Sequence, residues 1–183
     1  MTQAGTRLKS QSAVTLETAA GDRAVVLLHG AHVVSWTPAG GPDWFYLSPT
    51  SGYGDGASIR GGVPVIFPQF NQRGPDFDVP RHGFARNRSW RLESHDGDSA
   101  TLQLADDDAT RRLWPHAFAL RLVVRLAPGR LEIALEVLNT GAAAFAFTAA
   151  LHSYFAVGDI TRASLAGLNG VRYLDTVSGE AGS

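Results

Sequence analysis

The chain has 183 residues, a hydrophobic fraction of 44% and a formal net charge of −1, which together fit a folded globular domain with a sizeable core and exclude a chain held to nucleic acid or an anionic membrane by its overall field. The absence of cysteine excludes a disulfide framework, a thiolate nucleophile and a Cys-based zinc site. The N-terminal "MTQAGTRLKSQSAV" has no apolar core of signal-peptide length, and no apolar run approaches the roughly 18 residues of a membrane span, so a cytoplasmic protein is expected.

In chain order, "AVTLET", "RAVVLL", "HVVSW" and "WFYLS" read as short strands divided by Gly, Pro, Asp and Asn. Within "HGAH", His29 and His32 are three apart, which on a strand sets them on opposite faces and disfavours a shared metal. Residues 58–92, "SIRGGVPVIFPQFNQRGPDFDVPRHGFARNRSWRL", are rich in arginine, and Pro64, Pro68, Pro75 and Pro80 withhold ladder donors, so a rigid loop is expected and not a central strand. Gly61 and Gly62 suggest a tight turn against a close neighbour. Arg60, Arg81 and Arg86 could hold a phosphate or carboxylate through planar forks, with His82 between two of them in "PRHGFAR"; arginines that merely solvate a loop fit the spacing equally well. No phosphate-binding signature of the GxxxxGK[ST] or GxGxxG type and no GxSxG elbow is present.

"SWRLES" and "ATLQLA" are further strand candidates, and "DDDATRRLW" reads as a helical turn with acids first and arginines last. Phe118, Leu120, Leu122, Val124 and Leu126 then oppose Arg121 and Arg125. After Pro128-Gly129 the pattern resumes with Leu131, Ile133, Leu135 and Val137 against Glu132 and Glu136, which predicts an antiparallel hairpin with one face buried. In "AFAFTAALHSYF", Phe145, Phe147, Ala149 and Leu151 share one face, and Ala146, Thr148, Ala150, His152 and Tyr154 the other. Small residues leading to an imidazole and a phenol suit a cavity floor, and they also suit the wet end of an ordinary strand. "RASLAGL" is the last strand candidate, while His95 and His116 are read as surface residues. The pattern as a whole is all-β, a sandwich or barrel in a single domain spanning residues 1–183.

The succession of "GAHVVSW", "YLSP", "SIRGGVPVIFPQF", "PRHGFARNRSW", "LHSYFAVGDI" and "AGLNGVRYLD" resembles the aldose 1-epimerase family, most closely its hexose-6-phosphate mutarotase branch, over roughly residues 24–177. The resemblance implies a galactose mutarotase-like antiparallel β-supersandwich and an isomerase that interconverts the α and β anomers of hexose 6-phosphates. It implies that His152 is the general acid, that His82 orients the sugar, and that Arg60 and Arg86 bind the phosphate; Arg81 stands where the family often has glutamine and is read as a further phosphate contact, and Phe67, Phe70 and Tyr154 as apolar surface for the ring. No metal or organic cofactor is required by that chemistry, and a monomer is expected. An epimerase for free sugars and a non-catalytic sugar-phosphate-binding module are the alternatives. The family pattern continues past "YLD" to a sugar-binding Asp and a general-base Glu; neither motif occurs in the sequence, so a partial domain, C-terminally incomplete, is expected.

Overall fold

The computed structural model describes residues 6–8, 11–53, 59–72, 79–175 and 177–183. Strands β1 (Thr6–Leu8), β2 (Gln11–Glu17), β3 (Arg23–Leu27) and β4 (His32–Thr37) form an antiparallel meander. A second antiparallel sheet takes β6 (Arg91–His95), β7 (Ser99–Ala105), β8 (Phe118–Ala127) and β9 (Arg130–Asn139) in sequence order. Between β7 and β8 lies α1 (Asp108–Leu113), the expected helical turn, where Asp107 accepts from the Thr110 backbone N–H and Thr110 returns a bond to the Asp107 backbone.

Alternation turns these strands into a sandwich. Strand β2 faces β7 and β8, and Val14, Leu16, Ala24 and Val26 from one sheet join Leu102, Leu120, Leu122 and Val124 from the other in one buried cluster. Each large aliphatic side chain buried in this way contributes about 1.5–3 kcal/mol. The hairpin closes in the register that its pattern requires: Leu122 opposes Leu135, Val124 opposes Ile133, and Arg121 and Arg125 stand across from Glu136 and Glu132. Strand β8 buries its apolar face, whereas Leu131, Ile133, Leu135 and Val137 of β9 are only half-buried.

A two-residue ladder joins the loop region to the distal segment: β5 (Val65–Ile66) pairs antiparallel with β10 (Ala150–Leu151). Two expectations need correction here. The stretch 58–92 is not all loop, because Val65 and Ile66 are buried and paired; and the strand foreseen over 144–155 contracts to Ala150–Leu151, with an isolated bridge from Phe155 to Phe45. Proline accounts for both. Pro64 and Pro68 accept bonds from His152 and Thr148 but have no N–H to return, so the ladder is confined to the residues between them.

"WFYLS" likewise forms single bridges at Phe45 and Leu47, and "RASLAGL" forms no strand; Ile160–Arg162 is instead a 3-10 turn capped by Asp159, in an exposed stretch without a neighbouring sheet edge among the described residues. The last elements, β11 (Tyr173–Leu174) and β12 (Ala181–Gly182), pair only with each other. Pro75 lies outside the described residues. His95 is exposed as expected, but His116 is half-buried with its ring 4.6 Å from that of Trp114.

Candidate active site

The site is assembled where the 59–92 segment crosses the end of β4 and the residues after β10. Gly61 and Gly62 thread between them: Gly62 donates to Tyr46, Tyr154 donates to Gly62, and Tyr46 donates to Tyr154, all at 2.8–3.0 Å. Gly61, at φ +113°, leaves no room for a Cβ against the Tyr46 carbonyl, so the turn foreseen there demands glycine. Beneath it His32, 2% exposed, donates from Nε2 to the Gly61 carbonyl at 2.7 Å. Burial pushes its pKa down to about 4, helped by the nearby His29 and Arg86 and opposed by the Gly61 bond, so the ring is neutral at physiological pH. His32 was not foreseen as a support for the site. The signal available was its apolar neighbourhood in "AHVV", where Ala31, Val33 and Val34 are all fully buried.

His82 follows Pro80 and precedes Gly83, a second position with no space for a Cβ, which would strike the Phe67 carbonyl. Its own backbone is left-handed at φ +67°, a conformation that a non-glycine residue adopts only under constraint. Nδ1 accepts from the Asn71 backbone N–H at 3.1 Å and the His82 N–H donates to the Asn71 carbonyl at 2.9 Å. The ring is partly buried, and its pKa is lowered first by desolvation and then by Arg86, Arg81 and His152.

His152 enters from the far side, its backbone N–H tied to the Pro64 carbonyl at 3.1 Å. Its ring centroid lies 5.9 Å from that of His82 in an edge-on arrangement, stacks on Tyr154 at 4.9 Å and faces Phe70 at 6.2 Å. Phe70 in turn contacts His82 at 5.3 Å. His152 and Tyr154 therefore share a face, as the alternation required, and Phe70 bridges the two imidazoles. Phe67 does not join this group; it is fully buried against Phe84, Trp114 and Phe118 in the core.

The arginines divide. Arg86, on the 3-10 turn Ala85–Asn87, is half-buried and donates from its guanidinium to the Arg81 carbonyl at 3.2 Å, while its Nε is buried with no protein partner among the described residues. Its pKa is lowered by desolvation, with Tyr154 pulling the other way and Arg81 adding to the decrease. Arg81 is exposed beside it, and both act on His82. Arg60 stands apart: its backbone is pinned by Ser48 and Ser51, its side chain is exposed, and it is not among the charges acting on His82. The structure thus groups His82, His152, Arg81, Arg86, Phe70 and Tyr154. Such a group offers two imidazoles within one small molecule's reach of each other, an aromatic wall and a cationic rim with an unused donor. No cluster of three or more His, Asp or Glu suited to a metal occurs among the described residues. A separate concavity lined by Leu165, Leu168, Val171 and Tyr173 contains none of these groups.

Comparison with known proteins identifies the family and the fold. The family model "Aldose 1-epimerase" matches residues 12–181. A protein of Escherichia coli (strain K12) named "Putative glucose-6-phosphate 1-epimerase" is 41% identical over 160 residues, covering 85% of this chain and 52% of that protein. One of the same name from Cenchrus ciliaris is 33% identical, covering 84% and 50%. Among solved structures, a "putative mutarotase" from Salmonella typhimurium superimposes with a TM-score of 0.83 at 35% identity, over 97% of this chain and 59% of that one. The fold alone extends to a "galactose mutarotase related enzyme" from Lactobacillus acidophilus, with a TM-score of 0.70 at 24% identity, covering 83% of this chain and 51% of that one. The chain spans about half the length of the curated relatives it matches. The antiparallel sandwich is of the galactose mutarotase-like type, and the chain belongs to the aldose 1-epimerase family.

Proposed function

We propose that this chain carries the acid half of a mutarotase site for hexose 6-phosphates. The observation that carries the reading is the His82–His152 pair, 5.9 Å apart under Phe70 and rimmed by Arg81 and Arg86. Anomer exchange needs a proton placed on the ring oxygen while another leaves the anomeric hydroxyl; the C1–O5 bond breaks, C1 turns, and the ring closes on its other face. His152 gives the first proton to the ring oxygen, and the anomeric hydroxyl releases the second to solvent water. His82 hydrogen-bonds the sugar, Phe70 and Tyr154 cover its apolar faces, and Arg86 with Arg81 holds the phosphate, whose charge compensates two cations crowded in a partly buried place. Arg60 serves as an outer contact. The names of the relatives from Escherichia coli and Cenchrus ciliaris support glucose 6-phosphate as the substrate. The same reading takes the chain to be a cytoplasmic monomer that needs no cofactor.

A second reading, a module that binds sugar phosphates without turning them over, is favoured by one observation: among the described residues neither histidine is ion-paired to a carboxylate, and the charges acting on His82 are cationic. Magnetisation exchange between the anomers of glucose 6-phosphate, followed by NMR with the full chain, separates the two. Acceleration for the phosphate, reduced by Arg86→Ala more than it is for glucose, supports the mutarotase. Binding without acceleration supports the module, and equal losses for both sugars would remove the phosphate clamp and leave an epimerase of free sugars.

A further inference from the structure

Hydrogen bonds run from Thr148 through Phe70 and Asn71 to His82, and the Phe70 ring lies against both imidazoles. Thr148, four residues before His152, donates its N–H to the Pro68 carbonyl at 2.9 Å and accepts from the Phe70 N–H through Oγ1 at 2.7 Å, joining positions 78 residues apart. One residue further on, Asn71 donates to His82 Nδ1 and receives the His82 N–H on its carbonyl. Asn71 and His82 are both left-handed, at φ +57° and +67°, a region that asparagine and histidine enter more readily than most non-glycine residues, and the two reciprocal bonds between them hold them there.

The direction of the Asn71 bond has a chemical meaning. A ring nitrogen that accepts from an N–H cannot itself bear a proton, so neutral His82 must carry its proton on Nε2, on the other side of the ring from the Asn71 backbone. The opposite tautomer, or the doubly protonated ring, would set an Nδ1–H against the Asn71 N–H, two donors with no acceptor between them. We propose that Thr148 and the Phe70–Asn71 backbone form a tautomer clamp that keeps His82 a neutral Nε2–H donor to the substrate, leaving protonation of the ring oxygen to His152. Thr148 is then a positioning residue for both rings, since one side chain fixes the loop that bonds His82 and the aromatic ring that lies against His152. Desolvation and the cations beside His82 act in the same direction, against a second proton. The clamp itself follows from hydrogen bonding, but its use toward a sugar rests on the mutarotase reading.

The test is the tautomeric state of His82 in the full chain, read at neutral pH from long-range 1H–15N correlations of the ring nitrogens and assigned by loss of the signal in His82→Gln. The clamp predicts a bare Nδ1 and a protonated Nε2, a shift toward mixed tautomers in Thr148→Val, and return of the native pattern in Thr148→Ser, which keeps the hydroxyl. An Nδ1–H tautomer or a doubly protonated His82 in the native chain would overturn it, and so would an unchanged pattern in folded Thr148→Val. If Thr148→Val does not fold, the native and Thr148→Ser spectra still decide. Anomer exchange is measured on the same samples: a severalfold higher KM with a smaller change in kcat is expected for Thr148→Val, with recovery in Thr148→Ser. A native chain that shows the predicted tautomer but no exchange would refute the mutarotase reading and leave the clamp standing.

Discussion

The β8–β9 hairpin is far richer in apolar residues than the 59–92 segment, and the two are built on opposite terms. In the hairpin every residue does what its neighbours two positions away do, and the register from Phe118↔Asn139 to Ala127↔Arg130 runs without a shift. In the 59–92 segment the described site residues each meet a different partner: a glycine against one carbonyl, a left-handed histidine on one backbone N–H, a guanidinium on the carbonyl five residues back. Repetition spreads stability over many weak contacts, so a single loss is absorbed. The irregular segment concentrates its geometry in a few bonds, which suits a site and leaves it open to single changes.

That contrast can be broken most forcefully at Gly83. Gly83→Ala adds a Cβ directly into the Phe67 carbonyl at a left-handed backbone, and we expect a loss of about 4 kcal/mol or more in denaturant unfolding, with the His82 ring displaced. A loss under 1 kcal/mol would show that the segment has slack that its contacts deny. The counterpart in the regular region is Leu122→Ala. Leu122 is fully buried, so the substitution should cost about 2–5 kcal/mol, yet leave the ring-nitrogen signals of His82 where they were, because no bond of the site passes through β8. A changed His82 spectrum in that variant would join the two regions that the comparison separates.

A third measurement probes the seam between them. His32 folds with its pKa at about 4 against an unfolded value near 6.5, so the unfolded chain takes up its proton first as pH falls. The stability His32 protects is complete above pH 6.5 and declines toward pH 4, by on the order of 3 kcal/mol over the window. Urea unfolding midpoints across that range should show the decline, and His32→Gln should flatten it; an identical slope in the variant would assign the loss to other groups.

Legibility in the sequence follows the same division. The hairpin, β2, β3, β4, β6, β7 and the capped α1 are all visible as local patterns, since alternation and capping depend on residues within a few positions. The contraction of the 144–155 strand is not, because its limits are set by Pro64 and Pro68, some 80 residues earlier, whose carbonyls it must meet. Arg81, His82 and Arg86 were visible as a group because "PRHGFAR" is contiguous, but the pairing of His82 with His152 required the family resemblance; nothing in either local pattern states that Pro64 holds one beside the other. Arg60 was included by motif, and unlike Arg81 and Arg86 it is not among the charges that act on His82. The roles of Asn71 and Thr148 had no sequence signal, since one acts through its backbone and the other through a bond 78 residues long.

The central claim is that the two irregular-region histidines do different jobs, one transferring a proton and one only donating a hydrogen bond. It is tested most directly by comparing His152→Ala and His82→Gln in the glucose 6-phosphate exchange measurement, with the folded state of each checked by its unfolding midpoint. The account predicts a loss of roughly 10²–10⁴-fold in kcat for His152→Ala, the span of a general acid, and for His82→Gln, which retains an N–H donor, a smaller loss felt mainly in KM. Exchange that survives in His152→Ala, or that collapses through kcat alone in His82→Gln, would contradict it.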